Sequence, residues 1–193
     1  MTPKQTEKLK KKIADIKRIL AAEKKKFGCY DDSRGLRYLP TSYFIQLGDY
    51  KGGVTYLKWF YKNFPDDGGF PEFLFELTIL LFKDGKLREA ASAAFQTFCS
   101  NPYWIGRFLG RPVVRLDIWH SSNLMQVEYT EALTYTRDQP GLADFGDWLQ
   151  ELTTTEDFAR RSSRYVEIYR QLKSETDKES RRRLVEETFQ LEK

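Results

Sequence analysis

The chain has 193 residues, 40% of them hydrophobic and 15% aromatic, enough apolar surface to offset ordering entropy despite 31% charged side chains, so the composition disfavours disorder and a folded chain is expected. The net charge of +4 conceals a local excess: residues 1–27 hold ten Lys/Arg against three Asp/Glu, and the remainder holds 22 against 25. Cys29 and Cys99 lack C-x-x-C spacing, which excludes a disulfide framework; both are expected to be buried thiols in a reducing, cytoplasmic setting.

The N-terminus, MTPKQTEKLKKK, has no apolar run of the kind a secretory signal needs. Thr2-Pro3-Lys4-Gln5 instead supplies a threonine cap, a proline at the first helical position and a Gln three residues after the cap. Leu9, Ile13, Ile16, Leu20 and Phe27 recur at helical spacing among lysines, predicting an amphipathic basic helix that ends at Phe27-Gly28. Helices are expected at 34–47, 50–64, 71–83 and 87–99, separated by Gly48-Asp49, Pro65 with Gly68-Gly69, and Asp84-Gly85. The most apolar stretch, FLFELTILLF at 73–82, is interrupted by Glu76 and falls short of the roughly 20 residues of a membrane helix, so no membrane span is expected. Residues 110–122 read as extended, 123–136 and 142–152 as helical. Thr153-Thr154-Thr155-Glu156 reads as a capping box for a helix to about Lys173, and Thr176-Asp177-Lys178-Glu179 as the start of the last helix. Without alternating strands or a βαβ pattern, the fold class is all-α.

The helices of 34–102 repeat. GDYKGGVTYLKWFYKNFP at 48–65 aligns with GKLREAASAAFQTFCSNP at 85–102 at an offset of 37, placing Gly48 over Gly85, Gly53 over Ala90 and Pro65 over Pro102. Upstream, Thr41 and Phe44 align with Thr78 and Leu81. This arrangement of small, turn and proline positions resembles the tetratricopeptide repeat, with Arg37 standing where a large apolar residue is common and Pro40 inside the first helix. The block Asp32-Ser33-Arg34-Gly35-Leu36-Arg37-Tyr38-Leu39, together with Asn101-Pro102-Tyr103 and Leu109-Gly110, is also similar to that of a little-characterised group of repeat proteins.

The resemblance implies antiparallel helix-turn-helix pairs in an α-solenoid over 34–110. Because two units bury too little against each other, capping helices are expected at 1–27 and 123–193, making one compact unit. It also implies a non-catalytic scaffold whose groove holds a protein or peptide partner, lined by Tyr38, Ser42 and Gln46 in the first pair and Glu72, Phe75, Glu76, Ile79 and Lys83 in the second. Tyr38, Ser42 and Glu76 replace the Lys, Asn and Arg that grip a C-terminal carboxylate in some members, so that mode is not expected.

The residues point to no catalytic centre. Lys51-Gly52-Gly53 lacks the spacing and preceding strand of a phosphate loop. Asp117, His120 and Ser121 are near in sequence but bring no oxyanion hole. A single His and two distant Cys exclude the usual zinc set, and no cofactor is expected. The alternative to a protein partner is nucleic acid held on the basic helix by Lys8, Lys10, Lys11, Lys12, Lys17 and Arg18. Otherwise that helix is a structural cap with its lysines in solvent.

Overall fold

The computed structural model describes residues 1–30 and 32–192. The fold is all-α, with no strand among the described residues. No helix there is long and apolar enough to cross a membrane. Contacts divide the chain into two compact units, residues 1–68 with 79–86 and residues 69–78 with 87–193.

Unit 1 opens with α1 (Pro3–Phe27). The capping box forms as read: the Gln5 amide donates to Thr2 Oγ1 and the Thr2 amide to Gln5 Oε1. Ile13, Ile16 and Leu20 form its buried stripe, and α1 packs on α2 (Leu39–Leu47). This second helix starts five residues later than expected. Gly35 takes a left-handed φ of 66° and Leu36–Tyr38 makes a 3-10 turn, which leaves Pro40 in the first turn of α2, where its missing N–H costs nothing. Next comes α3 (Tyr50–Asn63), packed against α2. Cys29, expected to be buried, is exposed just beyond the end of α1.

The turns of the two helix pairs match bond for bond. Gly48 donates to Ile45 O and Asp49 to Phe44 O; 37 residues on, Gly85 donates to Phe82 O and Lys86 to Leu81 O. Both glycines are left-handed, at φ 66° and 76°. These are the paired bonds of a Schellman ending, which requires φ > 0. The second helices, α3 and α5 (Leu87–Ser100), also end alike, with Phe64 N–H on Phe60 O and Asn101 N–H on Thr97 O. At Gly53 the chain packs closely: a Cβ there would lie 2.5 Å from Leu80 Cδ2 and 3.2 Å from Phe44 Cβ. Leu80 is on α4 (Pro71–Lys83), whose residues divide between the units after Thr78.

Unit 2 packs α5 on α6 (Trp104–Phe108) and α8 (Glu156–Ser174), with α7 (Ala143–Thr154) and α9 (Lys178–Leu191) also against α8. Phe75, Phe108 and Phe145 form an aromatic cluster with ring centroids 4.9–5.6 Å apart. The region 123–136 is not an α-helix but two 3-10 turns, Asn123–Met125 and Val127–Ala132. The reason is Asn101, whose side-chain amide donates to the carbonyls of Leu124 (2.6 Å) and Gln126 (3.1 Å), taking acceptors that a helical ladder would use. The last two caps fall later than their boxes suggested. Thr155 accepts from the Phe158 amide while Thr153 bonds back to Gln150 O inside α7, and Asp177, not Thr176, accepts from Ser180.

Candidate functional site

In unit 1, the groove position Tyr38 belongs to a charged network. Asp32 accepts from the amides of Leu36 (2.7 Å) and Arg37 (2.8 Å) and pairs with the Arg37 guanidinium. Arg37 Nε reaches Asp67 at 2.8 Å, and the Tyr38 hydroxyl donates to the same carboxylate at 2.7 Å. Burial and the Asp67 charge push Tyr38 up to about 12. The guanidinium lies 4.4 Å from the Tyr38 ring centroid and 5.0 Å from that of Phe64, so Arg37 covers aromatic surface while its charge meets the two carboxylates. Ser42 Oγ bonds Leu39 O, Gln46 is exposed, and Lys83 stands over the Tyr50 and Phe82 rings.

The other groove positions are covered. Phe75 and Ile79 are 0% exposed and Glu76 4%, so none of the three offers the accessible anchor that the register predicts. In unit 2 the covering is done by the chain itself: Tyr135 donates to Glu76 at 2.6 Å, Thr134 Oγ1 donates to Glu72 at 3.4 Å, and Phe75 packs on Tyr135. Burial raises the Glu72 carboxyl, and burial with the Glu76 charge raises the Tyr135 phenol. A 37-residue period carries no information about residues 129–135, which is why this occupant was not foreseen.

Unit 2 keeps an open cleft of about 550 Å³. Phe98 of α5, Tyr103, Val166 of α8 and the segment 111–116 wall it with apolar groups, and Arg111 and Arg170 contribute charge. The segment, read as extended from the sequence, runs without regular secondary structure and is pinned at Leu116, whose amide donates to the Tyr103 hydroxyl at 3.0 Å. Among the described residues the amides of Val113, Val114 and Arg115 donate to no protein group, and Val114 is 74% exposed. Gly106 lines the cleft with open space where its Cβ would be. Asp117 bonds Lys173 on the surface, and neither Asp117 nor His120 lines this cleft.

The basic patch divides by role. Lys12 lies over Tyr43 (5.2 Å), Lys17 over Phe44 and Tyr56 (5.7 Å), and Arg18 pairs with Asp15. Lys8, Lys10 and Lys11 are exposed, with no carboxylate within 4.0 Å among the described residues. No family model, curated protein or solved structure matches the chain.

Proposed function

We propose that the protein is a non-catalytic protein-interaction module that takes an extended peptide in the unit 2 cleft, not in a tetratricopeptide-type groove on α4. The observation that carries this is the 111–116 segment, a backbone outside regular secondary structure with undonated amides and an exposed valine beside an apolar cleft. A peptide laid along it gains main-chain hydrogen bonds, while alternate side chains enter the pocket, the logic of strand addition. Arg111, whose side chain bonds the Thr153 hydroxyl and no carboxylate among the described residues, favours an acidic residue on the ligand. The repeat-like reading of the two helix pairs is retained as the scaffold in this proposal, supported by their matched turns. A cytoplasmic setting belongs to it too, supported by two free thiols.

The test is selection from a displayed peptide library on the full chain, followed by affinity measurement with Gly106→Leu. That side chain enters open space at a position with ordinary φ, so the variant should fold with an undiminished melting temperature while binding weakens at least tenfold. Selected peptides that bind the folded variant as well as the parent would sink the cleft.

A further inference from the structure

Unit 1 holds 17 Lys/Arg against nine Asp/Glu, and unit 2 holds 15 against 19. Pairing differs as well. In unit 2, Arg137, Arg164, Arg170 and Arg182 bond carboxylates at 2.5–2.9 Å. In unit 1, Lys8, Lys11, Lys25, Lys26, Lys58 and Lys62 have no carboxylate within 4.0 Å among the described residues. The surplus positive charge of the chain is thus concentrated and unneutralised in unit 1.

That charge surrounds an aromatic recess. Tyr30, Tyr56 and Trp59 line about 310 Å³ of space beside α1, where Lys17 stands at the edge and Ala21 is too small to fill it. Lys24 is held 4.8 Å from the Tyr30 ring centroid. Its position is fixed by Asn63 Oδ1, which accepts from both Lys24 Nζ (3.2 Å) and the Tyr30 hydroxyl (3.0 Å). The indole N–H of Trp59 is not buried and has no protein acceptor among the described residues. Lys58 and Lys62 lie one residue before and three after Trp59 on α3.

Three aromatics around a small recess suit either a quaternary ammonium or a flat ring. The two lysines decide, because a cationic ligand would be repelled by Lys17 and Lys24. An acidic peptide or an anionic lipid surface would use the lysines and leave the recess empty. We infer that the recess seats an unpaired base of a single-stranded nucleic acid, stacked on Trp59 with the Tyr30 ring, at 82° to the indole, beside its edge, while Lys17, Lys24 and the free lysines of α1 and α3 meet its phosphates. A strand uses both features, since every base offers a π-face and every nucleotide a negative charge.

The test is fluorescence anisotropy of the full chain with a short single-stranded RNA, with the same strand made abasic, and with heparin, an acidic peptide and anionic vesicles as competitors. Binding should fall with salt, and the abasic strand should bind about tenfold more weakly, the loss of roughly one stacked base. Trp59→Ala should weaken the intact strand similarly and leave the abasic strand unchanged. Lys17→Glu with Lys24→Glu should reduce the slope of log affinity against log salt by about 1.4, at roughly 0.7 for each lost single-strand phosphate contact. Gly106→Leu should bind RNA normally, which separates this site from the peptide cleft. Equal affinity for intact and abasic strands, or no RNA binding, overturns the inference. Binding to heparin, peptide or vesicles in preference to RNA overturns it as well. The abasic comparison needs no protein variant, so it stands even if Trp59→Ala is poorly folded.

Discussion

The Tyr135 phenol donates a 2.6 Å hydrogen bond to the Glu76 carboxylate, and both residues are at most 5% exposed. A residue expected to face a partner's peptide is thereby satisfied from within its own unit. Tyr135→Phe removes the donor and leaves part of a buried carboxylate unsatisfied, a change that costs about 1–3 kcal/mol. Urea unfolding should show that loss at pH 7, and Glu76→Gln in the same background should recover part of it. A Tyr135→Phe variant as stable as the parent would contradict this role.

Tyr165, with its hydroxyl on Cys99 O at 2.6 Å, resembles Tyr135 in being held neutral by burial. Raised phenols bind their protons in the folded chain after the unfolded chain has released them, near pH 10. Stability from these two groups is therefore intact below about pH 10 and falls above it, by about 1.4 kcal/mol per pH unit for each. Denaturation at pH 9 to 11 should show the decline, and Tyr165→Phe should flatten it by one group's share. An unchanged slope in the variant would refute the assignment.

Gly53→Ala weighs two opposed effects. Alanine gains about 0.8–1 kcal/mol in helix propensity. The new methyl would meet Leu80 at 2.5 Å, and overpacking costs about 1–3 kcal/mol. Net destabilisation of up to about 2 kcal/mol is expected by urea titration. A stabilised variant would show that Leu80 moves aside freely.

Arg37→Leu puts an apolar side chain at this position and leaves Asp32 and Asp67 without their cation. Removing one partner of a fully buried pair costs about 3–5 kcal/mol. The Arg37 side chain is 21% exposed, so a smaller loss of about 1–3 kcal/mol is expected. Arg37→Lys should recover little, because a point charge cannot contact both carboxylates while lying flat on Tyr38 and Phe64. Full rescue by lysine would mean that charge alone matters.

Asn101→Ala should release the carbonyls of Leu124 and Gln126. Hydrogen exchange across 110–128 should accelerate well beyond that of α8, the helix of unit 2 that packs against α5, α7 and α9. Uniform acceleration throughout unit 2 would indicate global destabilisation instead.

The helices of 1–102 were legible because their signals are local: the Thr2 box, the glycines at 48 and 85, and the 37-residue offset. Later boundaries depended on contacts distant in sequence. Asn101 redirects carbonyls 23 and 25 residues away, so the apolar spacing of 123–136 misleads. The Thr153 and Thr176 boxes failed because a neighbouring Thr or Asp offered a competing cap. Groove positions were assigned by register alone, which says where Phe75 lies on α4 but not that Tyr135 and Phe145 cover it. The basic end was visible as a count, yet its link to Trp59 exists only once α3 lies beside α1.

Cys29 gives a practical handle on unit 1. It is exposed and immediately precedes Tyr30 of the aromatic recess, whereas Cys99 is buried with its thiol raised by that burial. The thiolate is the nucleophile that adds to thiol reagents, so the native chain has one readily modified cysteine. A maleimide fluorophore would attach beside the recess without any engineered cysteine, and its emission would register a ligand arriving there.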